Sequence, residues 1–259
     1  NKAEITIPAS RLQALIDGTS YTVTADVSDA AGNSATTANA SFTVEKTPPT
    51  ISSISVSSNN LNANTLAKQV DNITFGVCFS ERVTFSDPSY VEVPFKIGSS
   101  TTIKHAAAQY STPYSINGVD GAFEFVYQVG SGDTGTVALA TESNGTLKPL
   151  TLSNSVTVRD DAGNDLTGIM TSLTGNTVDV DTTAPSMTLA VQDSNSNTIS
   201  HGGLTNQTSF TVLFVPTEPI INFIKDEIDV TNGTLNGDLQ TITSMSGSNT
   251  YYSIGLNAS

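Results

Sequence analysis

The groups in this chain that can do chemistry are oxygen donors, and they sit in short turns that recur along it. Asp26, Asp29 and Asn33 lie in Asp26-Val27-Ser28-Asp29-Ala30-Ala31-Gly32-Asn33, and Asp160, Asp161 and Asn164 lie in Asp160-Asp161-Ala162-Gly163-Asn164. Glu81 follows Ser80 and Glu218 follows Thr217, each after an apolar run. Glu45 stands just before Pro48-Pro49, and Asp179 and Asp181 stand just before Pro185. Carboxylates and amides suit a hard cation, and Ca²⁺ takes six to eight such oxygens at about 2.3–2.6 Å. Mg²⁺ fits less well, because it wants a tighter octahedral cage with several waters. Gly32 and Gly163 permit the tight backbone path that lets short side chains converge. Turn chemistry is the competing reading, since Asp, Gly and Asn are also the residues that turns use. The motifs taken singly leave both readings open.

Other chemistries lack their residues. His105 and His201 are the only histidines, and neither has a Cys, Asp or His neighbour at metal-site spacing. No Gly-Lys-Ser/Thr phosphate loop, Gly-x-Ser-x-Gly elbow or dinucleotide fingerprint occurs. Asp226 and Glu227 are adjacent carboxylates of the kind a glycosidase needs, but the chain has no Trp and only 7% aromatic residues to form a sugar platform. Tyr251-Tyr252 is better suited to cross-strand packing. Cys78, the single cysteine, excludes an intrachain disulfide and sits in the apolar run Ile73 to Phe79 as a small strand filler. The expectation is a protein that is not an enzyme. Its formal net charge of −14 opposes electrostatic binding to nucleic acid or anionic membrane. No run approaches the roughly 18 apolar residues of a membrane span, and no signal peptide opens the chain. The start at Asn1 is expected to mark a piece of something longer.

The elements that must position these carboxylates are strands. Charged residues make up 13% of the 259 positions and hydrophobic ones 37%, with Ser, Thr, Asn and Gly filling the rest. That mixture suits many short strands with polar outer faces. Apolar residues alternate at Tyr21, Val23, Ala25 and Val27, at Ile73, Phe75, Val77 and Phe79, and at Phe123, Phe125 and Tyr127. Each run ends in turn residues, as in a β-sandwich. One helical turn is expected between Ala9 and Ile16. Two junctions share a form: Val44-Glu45-Lys46-Thr47-Pro48-Pro49 and Val180-Asp181-Thr182-Thr183-Ala184-Pro185. A Ser/Thr-Glu turn follows each, and an Asp-Ala-Gly-Asn turn precedes each. The grammar runs whole once and in part twice.

These motifs resemble the bacterial immunoglobulin-like domains repeated in giant surface adhesins, including those of the repeats-in-toxin class. The resemblance is carried by Asp181 to Pro185, its variant Glu45 to Pro49, Asp29 to Asn33 and Asp160 to Asp165, and by Phe214 to Leu235. It implies an all-β chain of tandem immunoglobulin-like β-sandwich domains: residues 1–48 closing one domain, 49–185 a complete domain, and 186–259 opening a further one. Asp17-Gly18-Thr19-Ser20-Tyr21 also resembles the tyrosine corner of such folds. In that topology Glu81, Asp160, Asp161 and Asn164 gather at one pole beside Glu45. Glu218 meets Asp181 and Asp179 at the next joint, and Asp26, Asp29 and Asn33 face the preceding one. Lys46 and Glu45 depart from the pattern's Thr and Asp, and Arg82 stands where Pro usually follows the Glu.

The function so implied is an extender. Structural Ca²⁺ at the linkers stiffens a rod on the bacterial cell surface, supporting adhesion and biofilm, with neighbouring immunoglobulin-like domains as its partners. It binds no nucleic acid and does not insert in a membrane. An S-layer or filament subunit, and an accessory module of a carbohydrate-active enzyme, are the alternatives. Half a sandwich leaves one apolar face wet, so the end segments are expected to be completed by more of the parent or, alternatively, by neighbouring copies.

Overall fold

A computed structural model describes residues 8–109, 114–116, 119–243 and 250–258; the parts of the two end segments at 1–7, 244–249 and 259 lie outside them. The chain is all-β. It divides into two compact units, Asn1–Thr182 and Thr183–Ser259.

The first unit opens with a short helix, α1 (Ala9–Gln13), and an antiparallel pair, β1 (Ser20–Ala25) and β2 (Ala38–Thr43). Tyr21 lies opposite Phe42 and Val23 opposite Ala40, so one face of the pair is apolar. The other face carries hydroxyls: Ser20 meets Thr43 at 2.7 Å and Thr22 meets Ser41 at 2.9 Å. The Ile16 amide donates to the Tyr21 hydroxyl at 2.9 Å, which ties the segment after α1 to β1.

Twelve further strands follow in this unit: β3 (Ile51–Ser58), β4 (Leu66–Ala67), β5 (Asn72–Phe79), β6 (Val83–Phe85), β7 (Val91–Ile97), β8 (Lys104–Ala108), β9 (Tyr114–Ile116), β10 (Val119–Gln128), β11 (Gly135–Leu139), β12 (Thr151–Leu152), β13 (Val158–Asp160) and β14 (Asp179–Val180). Their hydrogen-bonded order is β3-β5-β10-β8-β7-β11-β14-β4, with β9 on β10 and β12 on β7. Among the described strand pairs of this unit, β14 and β4 alone run parallel. β6 pairs with β13 apart from this path. A β-sandwich keeps two sheets apart, but here β8 bonds both β10 and β7 and joins them into one mixed sheet.

Alternation builds the core. In β5, Ile73, Phe75, Val77 and Phe79 point one way and are buried, against Ile54 and Val56 of β3 and Phe123 and Phe125 of β10. Full burial of each such side chain contributes about 1.5–3 kcal/mol. Phe85 stacks on Phe123 at 4.1 Å between ring centres, and Phe79 meets the same ring edge-on at 5.8 Å. Cys78 is buried with a free thiol.

The second unit is one antiparallel sheet: β15 (Met187–Gln192), β16 (Thr198–Ile199), β17 (Ser209–Pro216), β18 (Gly233–Thr243) and β19 (Thr250–Ala258), in the order β16-β15-β17-β19-β18. Registers of Leu189 with Phe214, Val191 with Val212, and Val212 with Ile254 put these side chains on one face. Val212, Phe214 and Ile254 are buried there, helped by Phe223 and Tyr252, whose rings lie 5.2 Å apart.

Local geometry recurs where the sequence motifs do. The Thr50 amide donates to the Ser80 hydroxyl at 2.9 Å and the Ser80 amide to the Thr50 carbonyl at 2.8 Å. Ser186 and Thr217 repeat both bonds at the same two distances. Ala35 bonds back to Val27 at 2.8 Å just as Leu166 bonds back to Val158 at 2.7 Å.

Candidate metal centre

The linker from Glu45 to Pro49 is gripped from both sides. On the side of α1, Asp17 accepts from the Lys46 amide at 2.6 Å and from the Thr47 hydroxyl at 2.8 Å. The Lys46 ammonium donates to the carbonyls of Gln13 at 2.8 Å and Leu15 at 2.6 Å. On the other side, the Thr167 amide donates to the Pro49 carbonyl at 3.0 Å. The Asn164 amide reaches Glu45 Oε2 at 2.7 Å.

At this point Glu45, Glu81 and Asp160 converge. One carboxylate oxygen from each lies within 4.8 Å of the other two. Each is placed by an ordinary local device. Glu45 follows β2, Glu81 follows the Thr50–Ser80 lock at the end of β5, and Asp160 ends β13. Asp160 Oδ1 takes the amides of Gly163 at 2.7 Å and Asn164 at 2.8 Å. Gly163 sits at φ +96°, a conformation that glycine adopts readily. Asp160 is 6% exposed, the most enclosed of the three. Asn164 Nδ2 also donates to Asp160 Oδ2 at 2.8 Å, so one amide ties two carboxylates together.

The electrostatics separate the pair. Burial pushes the Glu45 carboxyl above its ordinary range, and Asp160 and Glu81 push it further, while the Thr47 amide works the other way. Burial also opposes charge on Asp160, but donation from Asn164, Gly163 and the Glu45 carboxyl outweighs it and holds Asp160 below its ordinary range. Glu45 is therefore the group that takes a proton when nothing else neutralises the cluster. The donor set fits a hard cation. Three carboxylates and the Asn164 amide, which carries an oxygen as well as the nitrogen used here, are oxygen ligands with no soft competitor among them.

The other expected ligands lie elsewhere. Asp161 turns away from the cluster to Arg82, whose Nη1 is 3.3 Å from its carboxylate, and both side chains are exposed. Arg82, next to Glu81, thus engages the acid beside Asp160, because adjacent turn positions point in different directions. Asp29 and Asn33 satisfy each other. Asp29 takes the amides of Ala31 at 2.9 Å and Asn33 at 2.8 Å, and the Asn33 side chain closes the loop at 2.7 Å. Asp26 accepts from the Thr37 hydroxyl and Asp179 from the Thr136 hydroxyl. The Asp181 amide donates to the Ala67 carbonyl at 2.8 Å. In the second unit Glu218 follows the Ser186–Thr217 lock, and its Oε1 is buried with no hydrogen-bond partner among the described residues.

No family model and no curated protein matches this chain.

Two features escaped the sequence reading. Asp193 and Asn197 form a third turn of the Asp29–Asn33 kind, with Asp193 taking the Asn195 and Asn197 amides at 2.8 and 2.9 Å; the Asp-x-x-x-Asn spacing was its signal. Lys104 on β8, Tyr127 on β10 and Asp133 before β11 make a half-buried polar triad. Lys104 Nζ lies 2.7 Å from Asp133 Oδ1, and the Tyr127 hydroxyl donates to Asp133 Oδ2 at 2.7 Å. Its members come from three separate segments, and no local motif marks them. His105 pairs across strands with Glu92 at 3.0 Å.

Proposed function

We propose that this chain is an extender segment of a secreted bacterial surface adhesin. Its immunoglobulin-like β-sandwich domains are stiffened by calcium at the linkers, and it holds a distal adhesive module away from the cell. The observation that carries the reading is the convergence of a linker carboxylate, Glu45, with Glu81 and Asp160 of the domain that the linker enters. Glu45, Glu81, Asp160 and the Asn164 amide oxygen are the groups that would hold Ca²⁺. Bound there, the ion supplies the charge that lets all three carboxylates ionise side by side, and it fixes the angle at which the chain enters the domain. Modules of this class need bind calcium only at roughly 10⁻⁴–10⁻³ M to be loaded outside cells. The motifs that resemble adhesin repeats, the strand-rich composition and the net charge of −14 support the same reading.

Calorimetric melting in millimolar Ca²⁺ against chelator tests it. Calcium raises the melting temperature by several degrees, as binding to the folded state alone requires. Glu81→Gln removes most of the rise, and Asp161→Asn, outside the cluster, leaves it intact. Equal melting in calcium and chelator for the unmodified chain overturns the metal reading.

A further inference from the structure

The segment between β11 and β12 forms a tight hairpin remote in sequence from every residue of the acidic cluster. Thr141 and Leu147 bridge antiparallel at its neck. The Glu142 amide donates to the Thr146 carbonyl at 2.7 Å, and the Gly145 amide to the Glu142 carbonyl at 3.0 Å. The tip reads Glu142-Ser143-Asn144-Gly145-Thr146, and all of it is exposed. Asn144 Oδ1 accepts from the Thr146 amide at 2.9 Å, while its Nδ2 has no acceptor among the described residues. Gly145, at φ +84°, has open space where a Cβ would stand.

Asn-x-Ser/Thr, with x other than Pro, is the acceptor triplet for N-linked glycans. The chain carries it at Asn39, Asn72, Asn144, Asn206, Asn232 and Asn257, and the fold separates these places. Asn39 lies inside β2, Asn72 in β5 and Asn257 in β19, and the Asn232 triplet runs into β18. There the ladder holds the backbone flat, and the Ser41 hydroxyl is already bonded to Thr22 at 2.9 Å. Asn144 and Asn206 stand in exposed loops, where a transferase can wrap the chain. They differ two residues ahead, where Asn144 has Glu142 and Asn206 has Leu204. An acid there is a handle for a cationic acceptor groove. Glu142 pairs with Lys148 at 2.8 Å and keeps 49% of its side chain exposed. A surface pair of this kind holds by about 1 kcal/mol or less, so a transferase arginine can take the place of Lys148.

We infer that Asn144 is a glycan acceptor, and that its donor is an oligosaccharide carried on a polyprenyl diphosphate. In the transfer, Nδ2 attacks the anomeric carbon of the first sugar. The bond from that carbon to the diphosphate oxygen breaks, and the diphosphate leaves with the electron pair. One Nδ2 proton passes to a base of the transferase. The inference rests on the secreted reading, because such donors are consumed on the outer side of the membrane, but not on calcium.

The test incubates the purified full chain with a bacterial oligosaccharyltransferase of the acid-requiring kind and an undecaprenyl-diphosphate-linked oligosaccharide of known mass. Peptide mass spectrometry is expected to find that mass added at Asn144 and not at Asn206. Thr146→Ala is expected to abolish the addition. Glu142→Gln is expected to slow it roughly tenfold, the worth of one charge-assisted contact. Lys148→Ala breaks the same ion pair but leaves the acid free, so it is expected to transfer at least as fast as the unmodified chain. A slowing by Lys148→Ala equal to that by Glu142→Gln shows that the pair only shapes the loop, and overturns the proposal. So does an Asn144 without glycan, or an Asn206 modified as fully as Asn144. No glycan with the calcium melting shift intact refutes the acceptor and spares the extender reading. Glycan at Asn144 with no calcium shift refutes the metal reading alone.

Discussion

Gly163 and Gly98 both hold positive φ, +96° and +58°, yet they differ in what a side chain would meet. A Cβ on Gly163 has nothing within 4 Å, whereas one on Gly98 would lie 2.5 Å from the Thr134 carbonyl oxygen. Gly163→Ala is therefore a purely conformational change, expected to cost about 1 kcal/mol. Gly98→Ala adds a backbone clash where β7 meets β11 and should cost roughly 2–4 kcal/mol. Urea unfolding of both variants measures the difference, and equal costs would refute the close approach at Gly98. The third Asp-x-x-x-Asn turn supplies the converse case. Ser196, at φ +64°, occupies the place held by Gly32 and Gly163 in the other two. Ser196→Gly should stabilise the second unit by up to about 1 kcal/mol, less what glycine loses through a more flexible unfolded chain. The same turns explain what the sequence could not decide about the ligands. Turn chemistry and cation chemistry draw on the same residues. Only three-dimensional convergence separates Asp160, which faces Glu45, from Asp29, which answers only its own turn.

At the scale of elements, alternation made the strands legible, because side chains on a strand must point to opposite faces. β1, β5 and β10 lie where Tyr21 to Ala25, Ile73 to Phe79 and Phe123 to Tyr127 alternate. What the pattern could not reveal was sheet membership. β8 joins the β10 side to the β7 side; among the described residues Phe125–Ala108 and Val126–Ala107 are in register against β10, and the Gln109 amide bonds the Glu124 carbonyl beyond them. The Lys104–Tyr127–Asp133 triad sits beside that join. Burial opposes charge on Asp133, but donation from Lys104, Tyr127 and Gly130 outweighs it and lowers its pKa. Burial likewise opposes charge on Lys104, and its bonds to Asp133 and Tyr127 outweigh it and raise its pKa. The signs define a window. A depressed Asp133 stabilises fully above about pH 4, its unfolded value, and loses that as pH falls through the lower folded value. A raised Lys104 stabilises fully below about pH 10, its unfolded value, and loses that as pH rises through the higher folded one. Thermal stability should hold a plateau between these limits. Asp133→Asn should lower it by about 2–4 kcal/mol and remove this residue's share of the acid limb, since it leaves a half-buried ammonium without its counter-charge. An unchanged acid limb in that variant would show that the triad contributes nothing.

For the molecule, the linker decides whether neighbouring β-layers act as one body, and its two grips differ in kind. Asp17 and Lys46 hold Glu45 to Pro49 to the preceding segment by hydrogen bonds that need no ion. Glu45 holds it to the following domain through a cluster that repels itself unless neutralised. With a net charge of −14, the whole chain adds to that repulsion. Lys46 is therefore a reporter of both grips: a lysine-specific protease can cut after it only when the linker opens and its ammonium leaves the carbonyls of Gln13 and Leu15. If opening is fast relative to cleavage, the cutting rate follows the population of the open linker. Calcium should slow cleavage after Lys46 several-fold relative to chelator, and Asp160→Asn should abolish that slowing. Asp17→Ala should raise the rate several-fold in both buffers, since it removes the grip that is independent of the ion. A rate insensitive to calcium but sensitive to Asp17→Ala would leave the linker held without an ion, by Asp17 and Lys46 on one side and by Asn164 and Thr167 on the other. The entry angle into the domain would then be set by hydrogen bonds alone.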